Sequence, residues 1–251
     1  NQKLQLIYTL QKKHQVLTVE ELIAIQNELE SKVVSVVNLE EEMIALQKTI
    51  EDIEAELDVI SVQISSSRRE AIPGLTHQLV QILAQLGMPN VQFKIEISAS
   101  GSYRNNGKDD LLFLFSANKG TDFGLLKKVA SGGEMSRIML AVKSVLAQYS
   151  KLPTIIFDEI DTGVSGEIAN KMGEIMQQMS KTMQVFAITH LPQIAAKGIS
   201  HYKVYKTVSG ESTVSELKLL SAEERIYEIA EMLSGKDISD SALNHAKALL
   251  N

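Results

Sequence analysis

Between Val36 and Ile64 the apolar residues Val36, Leu39, Met43, Leu46, Ile50, Ile53, Leu57, Ile60 and Ile64 alternate three and four apart without a break. Leu22, Ile25 and Leu29 carry the same register backwards, with Lys32 its one polar interruption, and the positions between are rich in Glu, Gln, Ser and Asp. A 3.5-residue repeat held this long defines a coiled-coil seam, not the broader face of an ordinary amphipathic helix. At 1.5 Å per residue it predicts a helix on the order of 60 Å long. Upstream, Leu4, Ile7 and Leu10 predict a short helix ending near Lys13, and Thr18-Val19-Glu20-Glu21 has the form of a capping box. Residues 1–17 therefore read as the last turns of one helix plus the tip of a helical hairpin. Residues 18–86 read as the arm that runs back from that tip. A seam this narrow exposes an apolar stripe unless a partner covers it. That partner is either a second copy of the chain or an arm in preceding sequence, and the tip-like start favours the arm.

Ser65-Ser66-Ser67 and Pro73-Gly74 interrupt the heptads. Leu75, Leu79, Ile82, Leu83 and Leu86 then predict a second amphipathic helix that stops at Gly87-Met88-Pro89. Residues 87–251 form a globular domain. Strands are predicted at 91–97, 111–115, 154–158, 184–189, 201–207 and 213–219, with a polar hairpin loop from Gly101 to Asp110. Helices are predicted at 134–149, 165–180, 222–233 and 239–250, giving a mixed α/β class with a sheet covered by helices. The formal charge of −6 argues against strong sequence-independent nucleic-acid binding by this chain alone. The pairs Lys12-Lys13, Arg68-Arg69 and Lys127-Lys128 read as solvated surface. The absence of Cys excludes disulfides and thiolate metal sites and fits a reducing, cytoplasmic setting. No stretch is long and apolar enough to span a bilayer, so no membrane partner is expected.

Three stretches of the globular domain carry chemistry. Ile155-Ile156-Phe157 is a short apolar run ending in the adjacent carboxylates Asp158 and Glu159, with Asp161 and a glycine-rich turn close behind. Ligands of open α/β sheets bind past the carboxyl ends of such strands, and two acids there are costly to leave unpaired. They call for a cation or a catalytic duty; a strand followed by a solvated acidic turn is the plain alternative. Ser131-Gly132-Gly133 stands directly before a helix whose predicted buried face is Ile138, Val142, Val145 and Leu146. Two glycines admit a close anion, and the helix N–H groups favour phosphate, although Ser-Gly-Gly also opens many ordinary helices. The third stretch, Gln184 to Ala196, is another apolar strand ending in Thr189-His190. If it lies beside the acidic strand, His190 reaches the same phosphate. His14, His77, His201 and His245 have no such context.

In this order and spacing the motifs resemble the C-terminal lobe of an ABC/SMC-type ATPase head, a P-loop NTPase fold. SGGEM resembles the signature loop, IIFDE the Walker B strand, Asp161 with its glycines the D-loop and Thr189-His190 the switch histidine. The coiled coil ahead of the signature half points to the SMC-like branch. VASGGEMSRIMLAVK, FDEIDTGVSG, ITHLPQIAA and ERIYEIAEMLSG are similar to the RecN family of bacterial DNA-repair ATPases. An SMC- or Rad50-like relative normally has longer arms with a hinge or zinc hook at the tip. The short tip without Cys favours RecN. No G-x-x-x-x-G-K-[ST] occurs in the chain, so the phosphate-cradling loop is absent. The family carries it in an N-terminal lobe that precedes the ascending arm, which makes this chain a C-terminal portion of a longer protein.

The resemblance implies roles residue by residue. Asp158 holds Mg²⁺ through water, Glu159 polarises the attacking water, and His190 contacts the γ-phosphate of ATP and that water. Ser131, Gly132, Gly133 and Glu134 bind nucleotide held mainly by a second head, and Asp161 sits at the interface of that ATP-dependent homodimer. The implied partners are the protein's own N-terminal P-loop lobe, a second head, and DNA within the nucleoid. The chain alone is expected to lack ATPase activity. The alternative from another class is a coiled-coil scaffold or tethering protein whose SMC-like head no longer hydrolyses ATP.

Overall fold

The computed structural model describes residues 2–126, 130–150, 152–209 and 212–251. The Lys127-Lys128 pair and Val129, at the start of the Ser-Gly-Gly stretch, lie outside the described residues. The chain divides into two units, one of Asn1–Ile64 with Gly101–Lys108 and one of Ser65–Ser100 with Asp109–Asn251.

The first unit is helical. Helix α1, Gln2–His14, is followed by a turn in which Gln15 takes a positive φ of 60°. Helix α2, Val19–Gln85, starts from Thr18. The Thr18 hydroxyl accepts the Glu21 N–H at 3.2 Å, and the Glu21 carboxylate accepts the N–H groups of Leu17 and Thr18 at 2.8 and 2.9 Å. That is the capping box the sequence spells. Ile7 and Leu10 of α1 line an apolar groove with Leu22, Ile25 and Leu29 of α2. Farther along, the seam residues from Val36 to Ile60 are 37–69% exposed, so α1 covers only the start of the stripe. Within the same unit the tip of a hairpin braces the helix. Tyr103 and Lys108 both donate to Asp58, at 2.8 and 2.6 Å, and the Lys108 ammonium lies 4.1 Å from the Tyr103 ring centroid.

The predicted break in the helix does not occur. α2 runs as one helix of 67 residues, about 100 Å, straight through Pro73. Pro73 is exposed, so water can meet the carbonyl that its missing N–H leaves unpaired. Beyond it, Leu79 and Leu83 are buried in the core of the second unit. Burying side chains of this kind stabilises by about 1.5–3 kcal/mol each, enough to offset an interior proline.

That core joins the end of α2 to strands β1, Gln92–Arg104, and β2, Gly107–Ser116, through Leu86, Val91 and Phe115. Phe93 lies 5.2 Å from Phe113 and 5.5 Å from Phe115 between ring centroids. The predicted Gly101–Asp110 loop is mostly strand, and only Asn105-Asn106 turn. Asp109 of β2 is buried; the Ser65 hydroxyl and Arg68, both donating from α2, hold its carboxyl below the usual range. A two-residue strand, β3, Gly124–Leu125, pairs with β2.

Helix α3, Gly132–Tyr149, buries Ile138, Leu140, Ala141, Ser144 and Val145. Its face is rotated from the expected one, and Leu146 is exposed. Strand β4, Thr154–Asp158, is joined through helix α4, Gly166–Met179, to the parallel strand β5, Gln184–Ile188. A short helix α5, Pro192–Ala195, leads to the antiparallel ribbon of β6, Tyr202–Ser209, and β7, Ser212–Leu219. Helices α6, Ala222–Ser234, and α7, Asp240–Leu250, pack on one another around Ile229, Ala230 and Ala246. The described strands make three small sheets instead of the single covered sheet expected. Strand periodicity reports which face is buried but names no neighbour. No described helix is long and apolar enough to cross a membrane.

Leu83→Ala is expected to cost about 2–5 kcal/mol in denaturant unfolding of this chain. Leu46→Ala, on the uncovered seam, should stay within about 0.5 kcal/mol.

Candidate functional site

Strand β4 and strand β5 set the site. Their register places Asp158 opposite Ile188, so the residues that follow each strand emerge at one edge. Ile155 and Val185 face the core, whereas Ile156, Phe186 and Ile188 are exposed on the other face. Asp158 and Glu159 are also exposed. Water therefore solvates both acids, and the expected penalty for unpaired carboxylates does not apply in this chain.

Glu159 extends the ladder by one bond, its N–H donating to the Ile188 carbonyl at 3.1 Å. There the backbone turns, with Glu159 at φ 47°. This left-handed region costs a residue with a Cβ roughly 1–2 kcal/mol. The turn is tied down by Thr162, whose N–H and hydroxyl both donate to the Glu159 carbonyl at 3.2 and 2.8 Å. Such strain persists where the surroundings over-determine it, and it concentrates at functional sites. A glutamate held here in place of glycine or asparagine points to use of its carboxylate.

Asp161 goes the other way. Its side chain is 1% exposed and accepts the Thr189 hydroxyl. The Asp161 carboxylate is turned into this unit, and the interface role expected of Asp161 concerns a second head. His190 is 70% exposed, with Nδ1 3.8 Å from the Asp161 carboxylate. β5 thus does lie beside the acidic strand, and Asp158, Glu159, Asp161 and His190 share one edge.

The Ser-Gly-Gly stretch opens α3. Ser131 is its N-cap residue, and its N–H and hydroxyl both donate to the Glu134 carboxylate at 2.8 Å. The Ser131 N–H, helped by its hydroxyl and by the charge of Arg137, holds the Glu134 carboxyl below the usual range. Arg137 also donates to the Gly133 carbonyl at 3.1 Å and to Leu86, just past the end of α2, at 3.0 Å. The two glycines differ. A Cβ at Gly133 would lie 3.1 Å from the Gly163 carbonyl oxygen, so this loop rests backbone to backbone on the turn after Glu159. Gly163 itself has φ +78°. A Cβ at Gly132 would meet nothing within 4 Å, and its φ is not positive. Neither packing nor backbone conformation calls for glycine there, and the open space leaves room for a group to come close to the backbone.

Met135 and Met139 of α3 line a groove with Ile156, Asp158 and Glu159. No hydrogen bond or ion pair joins Ser131 or Gly132 to Asp158 or Glu159 among the described residues. The Gly133–Gly163 contact links the two loops. The sequence reading assigned no contacts to Thr189, Arg137 or Gly163, because these depend on partners 28, 51 and 30 positions away at Asp161, Leu86 and Gly133. No cluster of three or more metal-binding side chains occurs among the described residues. Mg²⁺ needs none, since it takes one or two carboxylates plus substrate phosphates and keeps several waters. The exposed Asp158 fits that demand.

No family model matches the chain. Among curated proteins it is similar to the DNA repair protein RecN of Deinococcus radiodurans, 41% identical over 206 residues, covering 82% of this chain and 36% of that protein. The RecN proteins of Bacillus subtilis and Haemophilus influenzae are 33% and 32% identical, covering 93% and 96% of this chain and 43% of each relative. The chain thus spans about two fifths of the length of the curated relatives it matches. Among solved structures, an Smc head domain with a coiled coil and joint from Pyrococcus yayanosii superposes with a TM-score of 0.50 at 20% identity, over 78% of this chain and 37% of that one. The fold is that of part of an Smc head domain with a coiled coil.

Glu159→Gly should melt at a higher temperature than the parent, since it relieves the left-handed backbone. Gly163→Ala should be destabilised by about 1–2 kcal/mol. Gly132→Ala should melt like the parent, and a marked loss there would give that glycine a purely structural reason.

Proposed function

The chain belongs to the RecN family, and from that premise we propose that it supplies the signature and hydrolytic half of an ATPase head acting in DNA double-strand-break repair and recombination. The observation that carries this reading is the strained Glu159, held next to Asp158 at the edge where His190 also emerges.

Each residue has a task in ATP hydrolysis. Glu159, fixed by its turn, accepts a proton from the attacking water, and its exposure leaves room for that water. His190, one residue past Thr189 on the neighbouring strand, reaches toward the γ-phosphate and the same water. Asp158 holds hydrated Mg²⁺, whose charge offsets that of the phosphates. The P-loop lobe comes from the rest of the protein. It packs on the open apolar face of β4 and β5, where Ile156, Phe186 and Ile188 are exposed.

Ser131, Gly132 and the first-turn N–H groups of α3 meet the γ-phosphate of ATP bound to a second head. Gly132 permits the approach, and Glu134 keeps Ser131 in place. ATP then clamps two heads, and hydrolysis releases them. The head is tied to its arm: Arg137 links the signature loop to the end of α2, so head pairing is conveyed along the coiled coil to DNA or to another molecule.

In the full-length protein Glu159→Gln should bind ATP with near-parent affinity and hydrolyse it at least about 100-fold more slowly. Near-normal turnover would remove Glu159 as the catalytic carboxylate.

A further inference from the structure

Asp161 is the most deeply buried acid among the described residues, at 1% exposure. One of its oxygens accepts the Thr189 hydroxyl. The other, Oδ1, is shut off from solvent and has no hydrogen-bond partner. A buried carboxylate left this way is costly, and a donor brought to it is correspondingly favoured. The Thr189 hydroxyl is itself fixed, since it accepts the Leu191 N–H at 3.0 Å. The residues on both sides of His190 are therefore fastened to Asp161 through one hydroxyl. The imidazole presents Nδ1 at 3.8 Å to Oδ2, the oxygen that also accepts Thr189, on the carboxylate whose Oδ1 lacks a donor.

We infer that Asp161 is the positioning residue of His190, fixing its backbone through Thr189 and its ring through the proton on Nδ1. A carboxylate facing Nδ1 favours the tautomer protonated there, because the alternative sets a lone pair against a negative charge. Nε2 is then the acceptor, on a side chain open to solvent, so His190 takes a hydrogen bond from the attacking water and meets the γ-phosphate only through that water. A movement of about 1 Å brings Nδ1 into hydrogen-bond range of the carboxylate. The carboxylate thus works inside the head, while the turn it anchors carries the strained Glu159 at one end and the Gly163 contact with the signature loop at the other. This inference rests on the proposed ATPase reading of the site.

The test is a double-mutant cycle on ATP turnover in the full-length protein, comparing Asp161→Asn, His190→Ala and both together. Asp161→Asn should lower kcat roughly 10–100-fold, the range for removing an orienting partner from a functional histidine, with KM for ATP within about twofold. In the His190→Ala background it should cost nothing further. Thr189→Ser should keep activity and Thr189→Val should lose it, and Thr189→Val carries the cycle if Asp161→Asn fails to fold. In nucleotide-free protein labelled with ¹⁵N-histidine, His190 should carry its proton on Nδ1, and that preference should disappear in Asp161→Asn. Equal costs of Asp161→Asn with and without His190, or an unchanged tautomer, would overturn the inference and leave the ATPase reading standing. A His190→Ala protein with parent turnover would instead remove His190 from the proposed site, and the inference with it.

Discussion

The parallel pairing of β4 with β5 is the constraint on which the site depends. With Asp158 opposite Ile188, the chain must leave two adjacent strands at one edge, and Asp158, Glu159, Asp161 and His190 all lie within three residues of that edge. A slip of one residue would turn Asp158 inward and Phe157 out. Phe157 is 4% exposed in the core, so burial of that ring fixes the register and, with it, the position of the acids. The Glu159 N–H adds a final ladder bond to Ile188 before the backbone turns. The strain at Glu159 is thus held by the sheet on one side and by Thr162 on the other.

From this edge a continuous set of contacts leads to the helical arm. The turn after Glu159 touches the signature loop through Gly163 and Gly133, and Arg137 joins Gly133 to Leu86 just beyond α2. Leu79 and Leu83 near the end of α2 are buried in the same core as Phe157 and Ile138. A change at the acidic turn therefore has a packed route to the end of the arm that involves backbone atoms and one guanidinium. Interiors packed this closely shift between discrete arrangements more readily than they deform, which is the property the proposed cycle of head pairing would need.

The parts legible in the sequence were those written in local periodicity and local chemistry. The heptads specified α2, Thr18 and Glu21 its cap, and the alternation at 91–97 the start of β1. The apolar runs at 154–158 and 184–188 became adjacent parallel strands. The parts that were not legible depend on contacts between distant positions. Pro73 reads as a break, yet Leu79 and Leu83 hold the helix together past it. Nothing local to Asp161 shows that its side chain is buried, or that it accepts the hydroxyl of Thr189 just past the next strand. Gly132 and Gly133 look equivalent until Gly163 is found against only one of them.

In the proposed reading this chain holds half of an ATPase site, and the rest of the protein supplies the P-loop lobe that completes it. The most direct measurement is ATP turnover by this chain, by the P-loop-bearing remainder, and by the two combined, with and without DNA. The account predicts turnover only in the combination, and its loss when the chain carries Glu159→Gln. A complex verified as folded that still fails to hydrolyse ATP would contradict it and leave a coiled-coil scaffold in its place.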